Sequence, residues 1–103
     1  MSVDISVNGE VTTAYISGEL DHHSAAAIRA TIDNVVELNM PSLLVLDFTR
    51  VSFMDSSGIG LVMGRYRTLL KTGAQLYITG TSPQIYKVMK LAGIERLAKL
   101  EEK

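Results

Sequence analysis

The run Leu43-Leu44-Val45-Leu46-Asp47-Phe48 decides how the chain folds. Its first four positions are apolar without interruption. That is the pattern of a strand buried on both faces, and such strands belong to parallel sheets. Parallel neighbours are reached only through long crossovers, so helices are expected before and after it.

Upstream, Ile28, Ile32, Val35 and Val36 recur at helical spacing. They predict a helix from Ala25 to about Leu38, stopped at Asn39-Met40-Pro41. The polar stretch Glu19–Ser24 before it offers two helix caps, Asp21 and Ser24. Earlier still, Val3, Ile5 and Val7 alternate with Asp4 and Ser6, which reads as a half-buried strand. Asn8-Gly9 is a strong hairpin signal, and Val11 to Ser17 is the partner strand, ended by Gly18.

Downstream, Thr49 to Ser57 reads as a connecting segment. Ile59, Val62, Met63, Tyr66, Leu69 and Leu70 mark a second helix closed at Gly73. Ala74, Leu76 and Ile78 alternate with polar neighbours as another strand. Ser82-Pro83 supplies a cap and a first-turn proline for a helix bearing Ile85, Val88 and Met89, ended by Gly93. Ile94 to Leu100 is a short final helix or strand, and Glu101-Glu102-Lys103 reads as a frayed tail. The fold class is α/β: an N-terminal β-hairpin, then alternating α and β elements in a mainly parallel sheet with packed helices. Residues 1–103 read as one domain, without repeats or linkers.

Composition narrows the function. Formal net charge is −1 and the basic residues are scattered, which argues against nucleic acid as a direct partner. Cysteine is absent, so disulfides, thiolate metal sites and thiol catalysis are excluded. No signal peptide precedes the first strand, and no apolar run reaches the ~20 residues of a membrane span. A cytoplasmic location without a membrane partner is expected.

The segment Val51-Ser52-Phe53-Met54-Asp55-Ser56-Ser57-Gly58-Ile59-Gly60 stands at the carboxyl end of the apolar strand, where open α/β sheets place their sites. Asp55, Ser56 and Ser57 are all good caps for the helix that follows. Gly58, Gly60 and Gly64 each weaken a helix, which points to close approach by a neighbouring element or by a partner. A hydroxyl at a helix start also suits phosphorylation, because free N–H groups and the helix dipole favour an anion there. A phosphate adds about −1.5 to −2 charges beside Asp55, a large change on this chain. A plain helix cap explains the same residues, and both readings stand on physics alone.

The block Phe53-Met54-Asp55-Ser56-Ser57-Gly58-Ile59-Gly60, with Gly64-Arg65-Tyr66, resembles the signature of the STAS domain family, and most nearly its bacterial sporulation anti-sigma factor antagonists. Gly18-Glu19-Leu20-Asp21-His22-His23-Ser24 resembles the same proteins. The resemblance covers essentially the whole chain. It implies an antagonist that binds an anti-sigma factor with serine kinase activity and so releases a sigma factor. It also implies phosphorylation on Ser56, which switches the antagonist off, and reversal by a serine phosphatase. Asp21 matches a partner-contact position, and Asp55, Ser57 and Gly58 are expected on the same binding face. The lack of a fused transporter or sensor favours a free-standing antagonist.

Other chemistries fit less well. His22 and His23 are adjacent and lack a third ligand, so no metal site is expected. Asp, His and Ser residues are present, but the nucleophile-elbow pattern is not, so no catalytic residue is assigned. Gly58 to Gly64 is a loose dinucleotide fingerprint with its third glycine misplaced and no P-loop lysine. A small nucleotide-binding module is the alternative; otherwise no cofactor is expected.

Overall fold

A computed structural model describes residues 2–103. The elements run β1 (Ser2–Asn8), β2 (Val11–Leu20), α1 (His22–Asn39), β3 (Leu43–Met54), α2 (Ser56–Leu70), β4 (Gln75–Thr81), α3 (Pro83–Leu91), a short 3-10 turn (Ile94–Arg96) and β5 (Lys99–Glu102). The strands form one sheet in sequential order, β1-β2-β3-β4-β5. β1 pairs antiparallel with β2, and the remaining pairs are parallel. This is the expected hairpin followed by a parallel α/β sheet.

Sequential order has a consequence for the layers. Every crossover moves in the same direction along the sheet, so right-handed connections put all the helices on one face. One core results. Ile28 and Ile32 of α1, Val62 and Leu69 of α2, and Ile85 and Met89 of α3 pack with Ala14, Ile16, Leu44, Leu46, Phe48 and Ile78. The expectation that β3 is buried on both faces is therefore corrected. Leu44, Leu46 and Phe48 are buried, while Leu43, Val45 and Asp47 on the opposite face are only half-buried. Among the described residues no helix lies behind the sheet, and nothing covers that face fully.

Both strands that lead to the site run further than the sequence pattern suggests. β3 continues to Met54, so most of the supposed connection Thr49–Ser57 is strand. β2 continues past Gly18 to Leu20. The pairing of β2 with β3 shifts register between Tyr15 and Ser17 and again after Gly18, whose φ is +88°. A glycine tolerates that conformation, so the chain takes a bulge there and resumes pairing. The hairpin turn is also displaced by one residue. Asn8 pairs with Val11, leaving Gly9-Glu10 as the turn, with positive φ at Gly9. Positive φ at the first central position suits a II′ turn, whose twist matches the strands.

The carboxyl-terminal tail is not frayed. Residues 99–102 form β5, the Tyr77 hydroxyl donates to the Glu101 carboxylate at 2.6 Å, and the Lys103 amide donates to the Thr81 carbonyl at 2.8 Å. The Lys103 ammonium also donates to the Thr49 carbonyl at 2.9 Å.

Candidate switch and partner-binding site

β2 and β3 are adjacent and parallel, and each runs straight into a helix. The starts of α1 and α2 therefore lie side by side at one end of the sheet. The Asp55 amide donates to the Leu20 carbonyl at 3.2 Å and ties one start to the other. An aspartate caps each helix. Asp21 Oδ1 accepts from the amides of His23 and Ser24, both at 3.0 Å. The Ser24 hydroxyl accepts from the Asp21 amide at 3.0 Å and donates to the Glu19 carbonyl at 2.9 Å, completing a capping box. Of the two caps offered by the sequence, Asp21 is the cap and Ser24 its reciprocal partner; the helix begins at His22, earlier than its apolar period. Asp55 Oδ1 accepts from the Ser57 amide at 2.8 Å.

These bonds set the electrostatics. The Ser24 amide, more than any other neighbour, holds the Asp21 carboxyl below its ordinary range. An amide aimed at a carboxylate favours the charged form. The second oxygen of Asp21 makes no hydrogen bond among the described residues, and the side chain is half-exposed, so a charged acceptor points outward.

Because Asp55 does the capping, Ser56 is released from it. Ser56 occupies the first turn of α2 and is exposed, with its hydroxyl outside the cap. Ser57 is half-buried and lines a shallow groove of about 340 Å³ between α1 and α2, with His22, Ala25, Arg29 and Gly60. Further down the same helix pair, buried Arg65 reaches Asp33 at 2.8 Å and joins α2 to α1. Burial lowers the affinity of that guanidinium for its proton, and the Asp33 charge opposes the shift.

The glycines divide. Gly58 is buried, and a Cβ there would run into the Met54 side chain and approach Leu20. Its smallness serves internal packing. Gly60 is exposed and Gly64 half-buried, and a Cβ at either would meet nothing. All three lie inside α2, so they do not form the strand-to-helix loop that cradles a phosphate in a dinucleotide fold.

Two residues to which sequence analysis assigns no role at the site lie on the candidate surface. Phe53 and Val88 are 50% and 46% exposed and line a groove of about 250 Å³ with Met54, Ser82, Gln84 and Ile85. An exposed aromatic ring and an exposed valine lining one groove form an apolar patch, and Phe53 stands three residues before Ser56 in the chain. Reading Thr49–Ser57 as a loop hid it; the alternation of Val51 and Phe53 about Ser52 was the available signal.

The model of the STAS domain matches residues 2–103. The chain belongs to the STAS domain family. Among its STAS relatives, the anti-sigma F factor antagonist of Lysinibacillus sphaericus is 35% identical over 88 residues, covering 85% of this chain and 75% of the relative. That of Paenibacillus polymyxa is 26% identical over 97 residues, covering 94% and 83%. Among solved structures, the anti-sigma factor antagonist SpoIIAA in its unphosphorylated form superimposes with a TM-score of 0.85 at 32% identity, covering 99% of this chain and 88% of that one. The phosphorylated form of the Bacillus cell fate determinant SpoIIAA gives 0.78 at 32% identity, covering 99% and 91%. Among the described residues, no helix is long and apolar enough to cross a membrane.

Proposed function

We propose that this chain is an anti-sigma factor antagonist that acts by binding and not by catalysis, with Ser56 as the phosphoacceptor that switches it off. The observation that carries this reading is the division of labour at the start of α2. Asp55 makes the cap, which leaves the neighbouring Ser56 hydroxyl exposed at a helix start, where the helix dipole favours an anion. A phosphate can be accepted there without dismantling the fold, so its effect falls on whatever docks against the surface. The likeness to a relative solved in phosphorylated and unphosphorylated forms supports the same reading.

The binding face runs across both helix starts, from Asp21 and the Ser57 groove to Ser56, Gly60 and the Phe53–Val88 patch. Its partner is an anti-sigma factor with serine kinase activity, and a serine phosphatase restores the unmodified form. Gly58 supports this face from beneath. The test is incubation with a candidate anti-sigma kinase and ATP, followed by mass spectrometric mapping. Phosphate on Ser56 alone supports the reading. Phosphate on Ser57 or Ser82, or none with a kinase active on other antagonists, contradicts it.

A further inference from the structure

We propose that Arg29 is the anion-binding residue of the binding face, and that buried Arg65 is a positioning residue that keeps it free for that role. Arg65 does so by occupying Asp33, the carboxylate that would otherwise take Arg29. The group that Arg29 then receives is an aspartate or glutamate side chain of the anti-sigma factor. The proposal rests on the reading of this chain as an antagonist that docks through the two helix starts.

Three charges carry the inference. Arg29 and Asp33 stand four residues apart on α1, so their side chains share one face of that helix. An arginine and an aspartate at this spacing are placed to pair with each other. Here Asp33 Oδ1 lies 2.8 Å from Arg65 Nε instead, and Arg29 makes no ion pair among the described residues. The three belong to one cluster. Burial lowers the proton affinity of Arg65, Asp33 opposes that shift, and the charge of Arg29 adds to it.

Stability alone is a poor account of the Arg65–Asp33 pair. Arg65 is 6% exposed. Its contact with Asp33 is not aligned as a hydrogen bond, and its Nη1 has no hydrogen-bond partner among the described residues. A buried pair so incompletely satisfied contributes little, and apolar side chains of similar volume often do as well. What the pair does is commit Asp33. That side chain is 35% exposed, so without Arg65 it is able to turn to Arg29.

The guanidinium left over borders the binding face. Arg29 lines the groove between α1 and α2 with His22, Ala25, Ser57 and Gly60, and among the described residues no carboxylate lines that groove. Asp21, with its outward oxygen, caps the same helix eight residues earlier, about 12 Å away along the axis. A negative and a positive charge so arranged select a partner carrying the opposite signs in matching order, which fixes the orientation of docking.

Calorimetric titration with the kinase that phosphorylates Ser56 tests this. Arg29→Gln should weaken binding of the unmodified chain at least about tenfold, and Arg65→Met should weaken it comparably although Arg65 is buried. Adding Asp33→Asn to Arg65→Met should restore affinity, because no carboxylate remains to hold Arg29. Melting curves check that each variant folds; if Arg65→Met does not, the double variant decides. Weak binding by the folded double variant would mean that the pair merely shapes the fold, and would overturn the proposal. Full-strength binding by Arg29→Gln would overturn it too. So would an Arg29→Gln variant that binds normally unmodified but melts earlier once Ser56 is phosphorylated, since Arg29 would then serve the phosphate. A readout without a partner separates this relation from the antagonist reading. The Arg29 Nε–Hε resonance should move in Arg65→Met and return in the double variant; a resonance that stays put contradicts the positioning role whatever the chain binds.

Discussion

The amide of Asp55 donates to the carbonyl of Leu20, and so the residue that caps α2 is held by the last residue of the neighbouring strand. The start of α2 is thereby fixed from two sides: by its own cap and by β2. Ser56 rides on this fixed backbone without contributing to it, and the separation of the two roles has measurable consequences.

Substitution should separate capping from switching. Asp55→Ala removes the acceptor of the Ser57 amide and should lower stability by about 1 kcal/mol, with Asp55→Asn restoring most of it. Ser56→Ala should leave the melting temperature unchanged and abolish phosphate incorporation. Chemical denaturation and kinase assays on the same variants measure both. A large loss of stability in Ser56→Ala would mean that the serine, not Asp55, holds the helix start.

Asp21 carries a pH dependence with a definite sign. Its carboxyl is held below its ordinary value in the fold by the Ser24 amide. The unfolded chain therefore takes up a proton first as pH falls. Asp21 stabilises fully above its unfolded value near 4, and the contribution disappears as pH drops through the lower folded value. Asp21→Asn keeps a capping oxygen but does not titrate. The stability difference between wild type and Asp21→Asn should therefore shrink as pH falls below about 5. At neutral pH the same variant isolates the partner contact: if the unbonded oxygen of Asp21 meets a cation on the anti-sigma factor, binding weakens while the helix stays capped.

The glycines of α2 should respond in opposite ways. Gly58→Ala forces the Met54 side chain and Leu20 to move and should cost about 1–3 kcal/mol. Gly60→Ala adds its methyl group in open space and should stabilise the helix by up to about 1 kcal/mol. If the partner approaches α2 closely, Gly60→Ala should nevertheless bind less tightly. Thermal melts paired with calorimetric titration distinguish these outcomes; equal destabilisation by both substitutions would contradict the packing described for Gly58.

Charge and bulk at Ser56 can be told apart. Ser56→Asp adds a charge, and Ser56→Asn adds similar volume without one. Electrostatic switching predicts that the aspartate variant binds much more weakly, and that added salt partly rescues it, since exposed charges are screened over about 8–10 Å. Equal weakening of both variants, insensitive to salt, would assign the effect to bulk.

The elements were legible wherever periodicity was strong. The apolar run of β3, the helical spacing of Ile28, Ile32 and Val36, and the proline after Ser82 each mark an element that the structure contains. What escaped was non-local. The bulge at Gly18 lets β2 reach Leu20, yet a glycine in a strand reads as its end. The one-sidedness of the sheet follows from strand order, which no local pattern encodes, so β3 looked buried on both faces. At the site, three adjacent residues had equal claims as the cap, and only geometry gives it to Asp55 and exposes Ser56. Phe53 was hidden because its strand pairs with β2 beyond a register shift.

The most direct test of a phosphorylatable binding switch is the affinity of the chain for its anti-sigma factor before and after stoichiometric phosphorylation of Ser56. A new charge inside a close interface should cost several kcal/mol, so affinity should fall at least about tenfold. Amide shifts of the modified protein should change mainly from Asp55 to Gly60, the fold being otherwise retained. Full-strength binding by the phosphorylated protein would contradict the account.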